Sequence, residues 1–154
     1  MFIGLHTRIL DTQNLLTMPD QFREDFRDGL YVTQGFDRNM LMMTSNAFES
    51  LSERVGSFSL TNPLARALMR MFLGSAHQLR LRADGQLTVP DSLKEFAQLA
   101  GEVVLVGLGD YVEVWSAETW KKQEQQLLNT EGNTDRFSAL DLSIQRVSAK
   151  PNGG

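Results

Sequence analysis

The chain has 154 residues of which 42% are hydrophobic, enough for one ordinary core or for two small halves that share one, and a shared core is the expectation. It contains no cysteine, which excludes disulfides, zinc–thiolate sites and thiol nucleophiles and fits a reducing compartment, the cytoplasm. A net charge of −4 and a pI near 5.1 remove bulk basicity as a reason to bind a polyanion, so any nucleic-acid contact has to come from a local face.

Met1-Phe2-Ile3-Gly4-Leu5-His6 has no basic region followed by an apolar run, and nowhere is there a stretch of roughly eighteen apolar residues, so neither export nor a membrane span is expected. Leu5 to Leu10 reads as a strand with Leu5, Thr7 and Ile9 on one face. Asp11 to Asn14 makes a turn and Leu15 to Met18 resumes the strand, which together read as a hairpin with a bulged turn. Pro19 to Phe26 opens a short helix, proline fitting the first helical position and Asp20 complementing the positive end of the helix dipole, and Gly29 closes it. Strands follow at Leu30 to Thr33 and Met40 to Met43, joined by Gly35-Phe36-Asp37-Arg38-Asn39, and then a serine-capped helix from Ser45 to Val55. Asn62 to Leu73 is an amphipathic helix with Leu64, Leu68, Met71 and Phe72 on its apolar stripe.

The same order then recurs. Leu81-Arg82-Ala83-Asp84-Gly85-Gln86-Leu87-Thr88-Val89-Pro90 repeats Leu10-Asp11-Thr12-Gln13-Asn14-Leu15-Leu16-Thr17-Met18-Pro19 at an offset of 81 − 10 = 71 residues. Asn14 and Gly85 share one position and are the residue types that best tolerate positive φ, so both turns are expected to need that conformation. A second Pro-started helix at Pro90 to Phe96, a closing Gly101, strands at Val103 to Val106 and Tyr111 to Trp115, and a helix from Ser116 to Leu128 complete the second copy. Phe48 and Trp120 match at an offset of 72. Thr130 to Thr134 reads as loop and Lys150 to Gly154 as a disordered end.

These residues resemble the MraZ family, bacterial proteins built of two AbrB-type swapped-hairpin domains. The likeness runs through Met1-Phe2-x-Gly4, Leu10-Asp11, Pro19, Phe22-Arg23, Asn62-Pro63, Phe72-Leu73-Gly74-Ser75-Ala76, Gly85, Val89-Pro90 and Trp115-x4-Trp120. The resemblance implies an α+β fold with a mainly β core, a tandem AbrB-like swapped-hairpin barrel with a pseudo-two-fold internal repeat and flanking helices. The expected division is a first repeat at 1–60, a linker helix at 61–73, a second repeat at 74–129 and a partly disordered tail at 130–154. It further implies a transcriptional regulator associated with the nucleoid. Such a protein acts as a homo-oligomeric ring on short repeats of double-stranded DNA upstream of the division and cell-wall gene cluster, with no cofactor, no metal and no membrane partner.

In the family each turn carries Asp-x-x-Gly-Arg, whose arginine suits forked contact with a guanine edge or a phosphate. Here Asp11 is kept while the glycine is Asn14 and the arginine Leu15; in the second copy the acid's position holds Arg82, Gly85 is kept and the arginine is Gln86. The candidate DNA contacts are therefore Arg8, Arg80 and Arg82 for phosphates, placed on the strands beside the turns, with Gln13, Asn14 and Gln86 at the turns. Gln86 retains the amide geometry that reads adenine N6 and N7. The competing reading of Asp11, Gln13 and Asn14 is a hydrogen-bonded turn that only shapes the backbone. A divergent member that has lost DNA binding and serves as an oligomeric scaffold or protein-partner module is the alternative function. No triad, paired-acid or His-x-x-x-His arrangement supports an enzyme, and His6 and His77, also 71 apart, read as ordinary strand histidines. Gly107-x-Gly109 reads as a hairpin turn and Trp115 and Trp120 as core and helix anchors.

Overall fold

Ile3, Leu5, Thr7 and Ile9, strand-forming residues at every second position, make Phe2–Leu10 a nine-residue strand, β1, and the structure, a computed structural model, describes residues 1–140. After it come β2 (Leu15–Thr17), α1 (Asp20–Arg23), β3 (Leu30–Gln34), β4 (Met40–Thr44), α2 (Ser45–Gly56) and α3 (Pro63–Phe72). The second copy supplies β5 (His77–Leu79), β6 (Gln86–Thr88), α4 (Asp91–Ala97), β7 (Gly101–Gly109), β8 (Tyr111–Ser116) and α5 (Ala117–Leu127). A last helix, α6 (Thr130–Phe137), occupies the stretch expected to be loop, its first turn capped by Asn129 Oδ1 on the Gly132 amide at 2.9 Å. The expected disordered end at Lys150 to Gly154 lies outside the described residues. Met1–Trp120 forms one compact unit and the described residues from Lys121 onward a second.

The architecture is α+β with a mainly antiparallel β core. Its six-stranded sheet runs β1-β7-β8-β4-β3-β5, and β2 pairs with β6 in a separate two-stranded ribbon. That order reads the same from either edge once the repeat is applied. Each copy's first strand pairs with the other copy's third, β1 with β7 and β5 with β3, while the fourth strands β4 and β8 meet in the middle. The hairpin expected at Leu5 to Met18 is therefore a turn without a ladder. β1 leaves it for the large sheet and β2 for the ribbon, because both apolar pairing partners come from the other copy.

A pseudo-two-fold axis follows from the registers. In the ribbon Leu16 lies opposite its own equivalent, Leu87, at the offset of 71, and in the sheet Leu41 lies opposite Glu113 at the offset of 72. The core lies between ribbon and sheet and draws on both copies, with Leu16, Phe22, Phe26, Met40 and Met42 from the first and Leu87, Leu93, Leu99, Leu105 and Val114 from the second. Burying each such side chain is worth about 1.5–3 kcal/mol, so neither copy retains a sufficient core without the other. On β1 the buried residues are Phe2 and Leu10, whereas Ile3, Leu5 and Ile9 stand exposed on the opposite face, which is the outer face of the sheet.

That outer face is covered in patches. α2 and α3 pack Phe48, Val55 and Phe72 onto Leu41 and Met43, and Trp120 packs edge-on against Trp115 at 5.7 Å over Val104 and Val106. The two tryptophans are thus the anchors expected of them. Three details differ from the sequence expectation. Thr44, not Ser45, caps α2, its Oγ1 accepting from the Ala47 amide at 3.2 Å. α4 ends at Gln98, which takes the left-handed conformation (φ 54°), while Gly101 already opens β7. The buried line of α3 is Ala65 and Phe72 with Leu68 and Met69 against the core, and Leu64 is 77% exposed.

Candidate nucleic-acid interface

The two duplicated turns are built on the same backbone bonds. In the first, the Asp11 amide donates to the Leu15 carbonyl at 3.1 Å and the Asn14 amide to the Asp11 carbonyl at 3.1 Å. In the second, the Arg82 amide donates to the Gln86 carbonyl at 2.9 Å and the Gly85 amide to the Arg82 carbonyl at 2.8 Å. Asn14 (φ 64°) and Gly85 (φ 79°) both adopt the expected left-handed conformation.

Each turn is also tied to the other copy. The Val89 amide donates to the Asn14 carbonyl at 2.8 Å, and its equivalent, the Met18 amide, donates to the Gly85 carbonyl at 3.0 Å. A turn in one copy therefore completes the strand-to-helix corner of the other. The ribbon's antiparallel register, Leu15 with Thr88 and Thr17 with Gln86, places one turn at each of its ends.

The side chains finish the site. Asp11 Oδ1 accepts from the amides of Gln13 (2.8 Å) and Leu15 (2.9 Å). In the second turn the acid has moved inside, and Asp84 Oδ1 accepts from the Gln86 amide at 3.0 Å, the equivalent of the Leu15 amide. Sequence reasoning missed Asp84; its signal was an Asp two residues before the strand, the spacing of a side-chain turn to the backbone. Arg82 lies 3.8 Å from Asp84 Oδ2, an exposed pair worth little on its own.

Two more cations, absent from the sequence-based candidates, reach the turns from the opposite copy. Lys94 Nζ donates to Asn14 Oδ1 at 2.7 Å, while Asn14 Nδ2 donates to Asp91 Oδ1 at 2.7 Å. At the equivalent position, Arg23 packs its guanidinium where a Cβ on Gly85 would stand, donates from Nε to the Met18 carbonyl at 3.2 Å and lies 3.3 Å from Asp20 Oδ1. The 71-residue offset links Arg23 to Lys94, and that was the signal that could have found them.

The remaining candidates are more scattered. Gln13 is exposed at the tip of the first turn. Gln86 is half-buried, its Nε2 within 3.4 Å of Thr17 Oγ1 across the ribbon. Arg8 lies on β1, half-buried, with Nη1 donating to the Thr7 carbonyl at 2.8 Å. β5 ends at Leu79, so Arg80 and Arg82 are not strand residues as expected but lie in the exposed connection leading into the turn. Leu15 is half-buried in the ribbon. His6 packs edge-on to Phe22 at 4.9 Å and His77 is exposed. Among the described residues no group of three or more acids and histidines is placed to hold a metal ion, and no helix is long and apolar enough to cross a membrane.

Comparison with known proteins gives a consistent result. The family model described as "MraZ protein, putative antitoxin-like" matches residues 71–142. The chain is 36% identical over 132 residues to the transcriptional regulator MraZ of Thermomicrobium roseum, covering 86% of this chain and 92% of that protein. It is 32% identical over 142 residues to the transcriptional regulator MraZ of Corynebacterium kroppenstedtii, covering 92% of this chain and 99% of the relative. The protein of the same name from Clostridium acetobutylicum is 30% identical over 142 residues, 92% of this chain and 100% of the relative.

Proposed function

The chain belongs to the MraZ family, and from that premise we propose that it is a sequence-specific DNA-binding protein acting as a homo-oligomeric ring on short repeats upstream of the division and cell-wall gene cluster. It is a transcriptional regulator and not an enzyme. The proposal includes the division into a repeat at 1–60, a linker at 61–73, a second repeat at 74–129 and a tail at 130–154, and a place at the nucleoid.

The observation that carries the reading is the reciprocal exchange at the ribbon. Two equivalent turns, each locked by the other copy, form a rigid pair with Gln13 and Arg82 at exposed positions. Rigidity matters because a preorganised polar surface loses little freedom on binding. The two turns and their clamps carry Arg23, Arg82 and Lys94 against Asp11, Asp20, Asp84 and Asp91, so that part of the face is not basic in sum. Each acid, however, is engaged within the protein: Asp11 and Asp84 by backbone amides, Asp20 by Arg23 and Asp91 by Asn14. Affinity at one site is accordingly weak, and several copies in a ring raise it by making later contacts intramolecular. Arg8, Arg80 and Arg82 provide phosphate contacts, and Gln13, Asn14 and Gln86 provide contacts from the turns.

The test is a mobility-shift titration of the full chain with DNA upstream of its own gene, scanned across salt. Binding is expected to weaken steeply as salt rises, and Arg82→Ala to weaken it and to lower the log–log salt slope by about one unit. A flat salt response sinks the phosphate-contact model. The loss of both turn arginines, at Leu15 and Gln86, favours the second reading, an oligomeric scaffold or protein-partner module. On that reading the wild type does not bind, and Leu15→Arg with Gln86→Arg creates DNA affinity. Tight binding by the wild type removes it.

A further inference from the structure

The two cations that reach across to the turns use their donors differently. Lys94 Nζ is placed on Asn14 Oδ1 at 2.7 Å, and the same Asn14 amide donates to Asp91 Oδ1 at 2.7 Å, so cation, amide and acid form one chain of bonds inside the protein. Arg23 is anchored along one edge only. Its Nε donates to the Met18 carbonyl at 3.2 Å and lies 3.3 Å from Asp20 Oδ1, and among the described residues neither Nη1 nor Nη2 makes a hydrogen bond. Gly85 is buried beneath this guanidinium, which a Cβ there would strike, while the Arg23 side chain keeps 38% exposure. The planar group therefore roofs the second turn with its Nη donors unspent.

The surroundings differ in the same direction. The second turn is approached through Arg80 and entered at Arg82, both exposed, whereas the positions 71 residues earlier hold Ile9 and Asp11. The cation on the first copy's approach, Arg8, is half-buried and donates to the Thr7 carbonyl at 2.8 Å. A guanidinium fixed at one edge and free along the other fits a pair of acceptors, such as O6 and N7 of a guanine or two phosphate oxygens, and loses little freedom in doing so. An ammonium already bonded to an asparagine lacks that fork.

We infer that the chain grips DNA one-sidedly, mainly through its second turn, and that Arg23, although it belongs to the first copy, sets specificity there by forked contact with a base edge. The first turn adds only uncharged contacts. This rests on the reading that the turns bind DNA.

Mobility-shift titrations of the full chain test it, with the DNA upstream of its own gene and with a scrambled duplex of the same length and composition. Arg23→Lys keeps the charge and loses the fork. It is expected to weaken binding to the upstream DNA by about 5- to 150-fold, and to the scrambled duplex by much less. Arg23→Lys with Gly85→Asn gives the second turn the first one's clamp. If Arg23 served only to hold the turn, this pair would restore the affinity, and it is expected not to. Lys94→Gln removes a full charge beside the first turn and is expected to cost less than Arg23→Lys; urea denaturation verifies that each variant is folded. An unchanged affinity in Arg23→Lys, an equal loss on both duplexes, recovery in the double variant, or a Lys94→Gln loss as large as that of Arg23→Lys each overturns the inference and leaves DNA binding standing. A wild type that does not prefer the upstream DNA at any salt concentration overturns both.

Discussion

The two turns, Asp11 to Asn14 and Arg82 to Gly85, share a backbone and almost nothing else. In the first, an asparagine takes the left-handed position and its amide side chain engages Lys94 and Asp91 from the other copy. In the second a glycine takes it, and the space left by the missing Cβ is filled by the Arg23 guanidinium, again from the other copy. The capping acid is the first residue of one turn and the third of the other, yet it satisfies the same backbone amide. Asn14 with Lys94 and Gly85 with Arg23 are therefore matched pairs. The unit that is preserved is a turn plus its clamp from the opposite copy, and a substitution in either is read correctly only beside its partner.

The equivalence of the copies is most exposed to test at the axis. Leu16→Ala and Leu87→Ala each remove a fully buried side chain facing its own equivalent, and each is expected to destabilise the fold by about 2–5 kcal/mol in urea denaturation. The two costs should agree to within about 1 kcal/mol, and the double variant should fall short of their sum because the residues are in contact. Costs that differ by more than the spread expected of one site would show that the ribbon is not energetically two-fold.

A smaller effect separates the two clamps. Gly85→Asn places a side chain where Arg23 lies and is expected to cost about 1–3 kcal/mol, as overpacking does. Adding Arg23→Lys installs the first copy's solution in the second and should recover a good part of that loss. Such coupling between touching residues runs to about 0.5–3 kcal/mol in a double-mutant cycle. Additive costs in the cycle would mean that Asn–Lys and Gly–Arg are not alternatives for one job.

The sequence carried the repeat because proline, glycine and asparagine mark backbone conformations that the chain cannot easily reach otherwise. Asn14 and Gly85 stand where the structure needs them, and Pro19 and Pro90 lie one residue earlier than expected, at the N-caps of α1 and α4 in extended backbone and not at the first helical position. The exchange of strands was not legible from local pattern: β2 is three residues long, and nothing in Leu15-Leu16-Thr17 says whether its partner is the preceding strand or β6. The stripe of α3 keeps Leu68 and Phe72 but starts at Ala65 in place of Leu64, because the two neighbours compete for it. Packing chose the small Ala65 for the inner face and left the larger Leu64 in solvent. Of the candidate site, the turns were visible and their clamps were not. Arg23 and Lys94 sit on helices, and only the fold brings them to a turn some seventy residues distant in the chain.

The far end of the axis offers the smallest and most specific test of asymmetry, since there Leu41 faces Glu113 and the two copies differ in charge. Burial raises the Tyr111 phenol above its ordinary value of 10.0, and the Glu113 and Asp37 carboxylates add to the shift. The folded chain thus holds this proton to higher pH than the unfolded chain does. The resulting stability is complete below the unfolded value and is lost as pH rises through the folded one. Tyr111→Phe should remove that part of the alkaline loss, followed by urea midpoints from about pH 8 upward, beyond the range in which carboxylates and histidines titrate. Glu113→Gln keeps an acceptor for the Trp115 indole but drops the charge, so its baseline stability changes while its alkaline slope becomes shallower than that of the wild type. The slope should not vanish, because burial is the larger cause and remains. A slope identical to the wild type's would mean that the carboxylate standing opposite Leu41 has no electrostatic consequence at Tyr111, and that the two copies differ at this end of the axis in shape alone.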